Sequence, residues 1–315
     1  MKSNLILHSV TALIFSLSSS AYATNYADID QSGNANTAVV DQDGITNIAY
    51  INQSGNLNDA DVDQDGLSNY AEIGQSGKRN SVDVKQLGIK NETFVNQSGN
   101  DNTASVDQKG FANLAGIDQS GNWNTADVKQ RGKWNGAFVN QSGNDNTASV
   151  DQKGFANLAG IDQSGNGNNA DVDQFGEWNQ AFVNQSGNDN TASVDQKGYG
   201  YYQKGYDNLA SIDQSGNRNT AEVKQHGEWN QAFVDQSGND NTAKVHQDYD
   251  YNYADINQSG NHNSADVYQY GVSNGAWVDQ SGNHNEAYVT QYNYGQAAVV
   301  NQSGNHNSAN VHQSL

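Results

Sequence analysis

The triplet Gln-Ser-Gly returns at one spacing along almost the entire chain. It begins at Gln31, Gln53, Gln75, Gln97, Gln119, Gln141, Gln163 and Gln185, and again at Gln214, Gln236, Gln258, Gln280 and Gln302. Each step is 22 residues except that from 185 to 214, which is 29. A fixed period of this size marks stacked repeats, in which no unit owns a core and each buries its apolar face on a neighbour. The functional question therefore concerns what a stack of near-identical rungs can do.

Within each 22-residue unit lie two copies of an 11-residue pattern, Q-x-G-x-x-N-x-A-x-V-x. In the unit from Gln97 to Asp118, the first half is carried by Gln97, Gly99, Asn102, Ala104 and Val106. The second is carried by Gln108, Gly110, Asn113, Ala115 and Ile117. Asn, Ala, Val and the next Gln lie two residues apart, which is strand periodicity with all four on one face. Gly supplies the positive backbone angles of a tight turn, and the neighbouring Ser and Asn suit turns as well. The Asn column has one substitution, Gln296; the Ala column has Val82 and Thr93; the Gly column fails at Tyr249 and Asn293.

Two strands and two turns thus close one rung, and the expected fold is an all-β, two-sheet parallel solenoid of about thirteen rungs. Rungs in register set Gln on Gln and Asn on Asn, whose amides can bond along the stack as in cross-β ladders. Such continuous bonding is what lets an amide stand in an inward column, since a buried polar group without partners is costly. Ala and Val fill a thin interior because facing sheets lie only about 10 Å apart.

Composition agrees with this reading. Only 34% of residues are apolar and the mean hydropathy is −0.85, values that would suit disorder were the apolar residues not at fixed positions. No proline occurs, where average usage gives about 16, and proline interrupts continuous sheet. No cysteine occurs, which excludes disulfides and thiolate chemistry. A net charge of −20 without basic patches excludes nucleic acid as a partner.

Residues 1–23 depart from the pattern. Lys2, an apolar run from Leu5 to Leu17 and Ala21-Tyr22-Ala23 read as a secretory signal peptide, with the repeat region from 24 to 315 beginning at Thr24. The 29-residue step contains a copied Gln-Lys-Gly-Tyr, at Gln196 and Gln203. It is expected to bulge as a Tyr-rich loop near 196–206 (Tyr199, Tyr201, Tyr202, Tyr206) without moving the register.

The repeated pattern Q-x-G-x-x-N-x-A-x-V-x-Q resembles the curlin repeat of curli, the secreted amyloid fibres of bacterial biofilms, over essentially all of residues 24–315 in about 25 half-repeats. The resemblance implies a subunit that polymerises with itself, leaves through an outer-membrane pore and is started by a nucleator subunit. Gln97, Asn102, Gln108 and Asn113 match the family's ladder residues. Familiar subunits have about five repeats and a non-repeat export segment, whereas here Asn25, Ala27 and Ile29 already fit the pattern. The closing half, Gln302 to Gln313, is not basic, which favours a major, fibre-forming subunit over a nucleator.

The outward columns hold the remaining candidates. Asp61, Asp83, Asp127 and Asp171 repel across rungs and are expected to act as gatekeepers against uncontrolled association. Phe94, Phe138, Phe182, Phe233 and Trp277 share a column with Gly116, Gly160 and Ser211 between them, a candidate surface for another filament, a host or an abiotic surface. His262, His284 and His306 form one turn column that reads as solvated repeat copies rather than a metal site. No motif sets a nucleophile beside a base, so neither enzyme activity nor a cofactor is expected. The expected product is an extracellular fibre on the bacterial cell surface, because open strand edges template further chains. A monomeric secreted solenoid that binds a ligand or surface is the alternative. An ice-binding solenoid built on Thr37, Thr103, Thr125 and their equivalents is a third reading.

Overall fold

The computed structural model describes residues 11–17, 24–198 and 207–314. Successive strands alternate between two parallel sheets, one of 13 strands and one of 14. The 13-stranded sheet holds every Gln-Ser-Gly triplet and is called the constant sheet here; the other, whose residue after Gln differs from rung to rung, is the variable sheet. Each strand pairs with the next of its own sheet at the repeat distance, so that Gln97 meets Gln119 and Ala115 meets Ala137. The expected all-β solenoid of about thirteen rungs is the observed fold.

Alternation along each strand sorts the side chains. In Thr103–Phe111, Ala104, Val106 and Gln108 are buried while Thr103 and Lys109 are exposed. The inward columns merge into one continuous core of Ala with Val or Ile running from Ala38 to Val300. Burying each Val or Ile contributes roughly 1.5–3 kcal/mol relative to leaving it exposed. The polar intruder in the Ala column, Thr93, is fully buried and satisfied: its hydroxyl donates to Gln108 Oε1 (2.9 Å) and accepts from Gln86 Nε2 (3.1 Å).

The corners are tighter than the sequence pattern suggests. Ladder pairing runs through Ser and Gly, so strands such as Leu114–Asn122 extend nine residues and leave only two for the turn. The reason lies in the stacking: every corner residue also has its counterpart in the next rung. Glycine is required because Gly121 has φ +108° and a Cβ there would overlap the carbonyl oxygen of Gly143 in the following rung. Two residues later comes a second left-handed position, filled mostly by non-glycine residues such as Trp123 (φ 56°), Trp134 (φ 62°) and Asp145 (φ 56°). The turn pattern of the sequence did not announce this column, because no single residue type fills it: Trp, Asp, His, Ala and Arg all occur there.

The 29-residue step leaves the register intact: Gln185 pairs with Gln214 and Val194 with Val223. The tyrosines expected in a loop there lie outside the described residues. The expected leader over 1–23 concerns processing. In the uncleaved chain Thr11–Leu17 forms the edge strand of the variable sheet, paired with Thr37–Ile45.

Candidate functional site

The inward amides form two ladders of opposite direction. Gln97 Nε2 donates forward to Gln119 Oε1 (2.8 Å), as Gln108 does to Gln130 (2.8 Å). The second N–H of each crosses the core: Gln97 Nε2 donates to the Ser81 carbonyl (3.1 Å) and Gln108 Nε2 to that of Glu92 (2.9 Å). Each Gln therefore ties one rung to the next and one sheet to the other. That cross-sheet bond fixes the amide orientation, since a flipped amide would set oxygen against oxygen.

The Asn ladder runs backward. Asn102 Nδ2 donates to Asn80 Oδ1 (3.1 Å), and its backbone N–H donates to the same oxygen (3.1 Å). The amide also donates to the carbonyls of Ser98 (3.1 Å) and Gly121 (3.0 Å), closing the corner below and above. Asn113 repeats the arrangement with Asn91 Oδ1 (3.0 Å) and the Gly132 carbonyl (3.2 Å). Ala104, Val106, Ala115 and Ile117 fill the space between these ladders, all at most 2% exposed.

A third ladder lies outside, on the corner after the constant sheet. Asn100 Nδ2 donates to Asn122 Oδ1 (2.7 Å), Asn122 to Asn144 (2.8 Å) and Asn144 to Asn166 (2.9 Å). It crosses the insertion, Asn188 to Asn217 (2.9 Å), and continues to Asn305. The sequence signal was present in the fourth residue of Gln-Ser-Gly-Asn, constant except at Lys78.

The two ends of the stack differ. Gln31 is the first of its ladder in the constant sheet; its Oε1 is buried and has no partner among the described residues. Gln302 is the last, donating from Nε2 to the Glu286 carbonyl (2.9 Å) with no further Gln above it. Gln296, which closes the Asn column of that sheet, also holds a buried Oε1 without a partner among the described residues.

Outside, the expected columns take their places. Asp61 faces Asp83 across one rung. Burial, and then the charge of Asp83, pushes the Asp61 carboxyl above the usual range; burial, then Asp41 and Asp65, does the same to Asp63. Asp83 is paired with Lys85 (2.9 Å) and Asp127 with Lys129, two residues along the same strand. Asp171 stands beside Ser149 and Ser193. Phe94, Phe138, Phe182 and Trp277 are exposed on the constant sheet, whereas Phe233 is half-buried with its ring 5.7 Å from that of Tyr253. Phe138 and Phe182 alternate with Gly116 and Gly160 along a groove of about 1040 Å3. His262, His284 and His306 stack as parallel rings 4.8 and 4.9 Å apart.

One constellation was not singled out by the sequence. His226 and Asp248 are register partners on the outer face of the variable sheet, and His246 stands two residues before Asp248 on that face. His226 Nδ1 and His246 Nε2 each lie 3.2 Å from a different oxygen of Asp248. Burial opposes the Asp248 charge, but the hydrogen bonds from both imidazoles outweigh it and hold the carboxyl well below the usual range. The bond to Asp248 raises the His246 pKa against the opposing effect of burial. The signal was His-x-Asp on a strand with a His one repeat earlier.

A family model describing the curlin associated repeat matches the chain in twelve overlapping stretches, from residues 24–55 through 99–130 and 168–198 to 260–292. No match is found among curated proteins. The twelve stretches cover most of the described solenoid, and the chain belongs to the curlin associated repeat family.

Proposed function

We propose that this chain is a secreted structural subunit that stacks end to end into curli-like cross-β fibres of an extracellular matrix. The carrying observation is the complementarity of the two ends. Gln31 offers a buried acceptor without a partner among the described residues, and Gln302 offers the amide that would donate to it. A second copy placed at the repeat spacing satisfies both, and its Asn25 N–H meets the Gln296 oxygen, which has no partner among the described residues. Such a head-to-tail contact is heterologous and does not close, which is the geometry of a filament. With one rung per strand spacing, thirteen rungs lengthen a fibre by roughly 60 Å per chain.

The leader read over 1–23 fits this scheme. Its strand Thr11–Leu17 covers the Thr37–Ile45 edge in the unprocessed chain, so removal on export would uncover the edge where it is needed. An unprotected strand edge templates the next chain. Membership of the curlin repeat family supports self-assembly and suggests a nucleator subunit and an outer-membrane pore as partners, with adhesion and cell aggregation as the outcome. The inward Gln, Asn, Ala and Val columns form the amyloid ladder. Asp61, Asp83, Asp127 and Asp171 act as gatekeepers. Phe94, Phe138, Phe182, Phe233 and Trp277 form the lateral contact, where rings of a second filament would seat between rings of the first.

The test is to dilute residues 24–315 from denaturant and follow assembly by electron microscopy and fibre diffraction. Fibres with reflections near 4.7 and 10 Å are expected. A lasting monomer without the shorter reflection contradicts the proposal and favours the monomeric surface-binding solenoid.

A further inference from the structure

We propose that His226, His246 and Asp248 form a binding site for one divalent transition-metal ion of the zinc class, which ties together the two neighbouring strands Thr220–His226 and Thr242–Asp248. The ligating atoms of these three residues all lie within 4.8 Å of one another. Zinc bonded at about 2.0–2.1 Å to imidazole and carboxylate places its ligand atoms roughly 3.3 Å apart in a tetrahedron. Both imidazole nitrogens already stand 3.2 Å from the Asp248 oxygens, so a small inward adjustment completes a three-residue set. Two imidazoles and a carboxylate suit zinc, copper or nickel, and leave a position for water.

The nearest register cations have carboxylate partners of their own. Lys224, the register neighbour of His246, is paired with Glu222, and Lys197, the neighbour of His226, with Asp195 (2.7 Å). A shallow pocket of about 110 Å3 opens beside His246 and Asp248, walled by Tyr268, Tyr270 and Tyr292, and gives room for the water.

The location gives the site a purpose. Thr191–Lys197, Thr220–His226 and Thr242–Asp248 are successive strands of the variable sheet, and each is seven residues long where its neighbours have nine. The glycine column also gives way here, at Tyr249. An ion at these three residues replaces ladder bonds that the shortened strands lack. The site lies within one chain and needs no assembly, so it stands or falls apart from the fibre proposal.

The experiment is Zn2+ titration of the full chain after chelator treatment, paired with the visible spectrum of the Co2+ form. One saturable site per chain is expected, with the intense absorption of four-coordinate Co2+. Affinity should fall at least tenfold in His246→Ala and in Asp248→Asn, each with unchanged strand content by circular dichroism. His246→Gln, which keeps the volume, should show the same loss. The triple variant His262→Ala, His284→Ala, His306→Ala should bind as the parent does. A parent chain without a saturable site, Asp248→Asn or His246→Gln binding at full affinity, or loss of binding in the triple variant would each overturn the assignment.

Discussion

The two corners of each rung solve the same steric problem with different security. The corner after the constant sheet keeps Gln-Ser-Gly in every rung and carries the outer Asn ladder from Asn100 to Asn305. The corner after the variable sheet has no such ladder among the described residues, and apart from Lys78 the departures fall on it. The inserted segment follows Lys197, Tyr249 and Asn293 replace glycine, and the His226–His246–Asp248 group occupies its flank. Both corners share the inward Gln and Asn columns, which hold the register at each. The outer ladder adds a demand for uniformity that the variable corner escapes.

The largest expected effect comes from breaking the constant corner at its backbone. Gly121→Ala forces a Cβ into the Gly143 carbonyl at a φ that glycine alone tolerates. It should cost about 3 kcal/mol or more and abolish fibre growth in a seeded assay. Gln119→Ala comes next. It removes the acceptor of Gln97, the donor to Gln141 and the bond to the Thr103 carbonyl (3.0 Å). Stranding buried partners in this way should cost about 3 kcal/mol, read as a lower denaturant midpoint of the fibres.

Asn144→Ala interrupts the outer ladder on an exposed corner and should lower stability by about 0.5–1 kcal/mol, because water replaces part of each lost bond. Removing residues 197–203 restores the 22-residue step in the variable corner and should leave stability within about 0.5 kcal/mol. A large loss there would show that the inserted segment is structural.

Acid should act on the Asp columns of the variable sheet. Asp61 and Asp63 have folded-state pKa values above their unfolded ones, so the stack takes up protons that the unfolded chain releases. Their contribution to stability is complete below the ordinary carboxylate pKa and is lost as pH rises through the raised values. Assembly should therefore be faster near pH 4 than at pH 7, and the difference should shrink in the double variant Asp61→Asn, Asp63→Asn.

The rungs, their register and their inward faces were legible in the sequence because strand alternation writes them directly: Ala104, Val106 and Gln108 are spaced by two. What escaped depends on the path of the chain through the corners. The second left-handed position at Trp134 or Asp145 is filled by Trp, Asp, His, Ala and Arg alike, so no constant glycine or asparagine marks its backbone angle. The cross-sheet bond from Gln97 to the Ser81 carbonyl spans 16 residues and follows only from how the two sheets face each other. His226 and Asp248 are partners solely because the corner between them keeps its length, as the 22-residue step required; the added proximity of His246 comes from its place on the same face.

The central claim is that the ladder continues from one chain into the next. Cryo-electron microscopy of fibres grown from residues 24–315 tests it directly. The account predicts an unbroken strand spacing through the junction, a repeat of roughly 60 Å per chain, and Gln302 of one copy beneath Gln31 of the next. Chains joined side by side, or a junction with Gln31 left facing solvent, would contradict it.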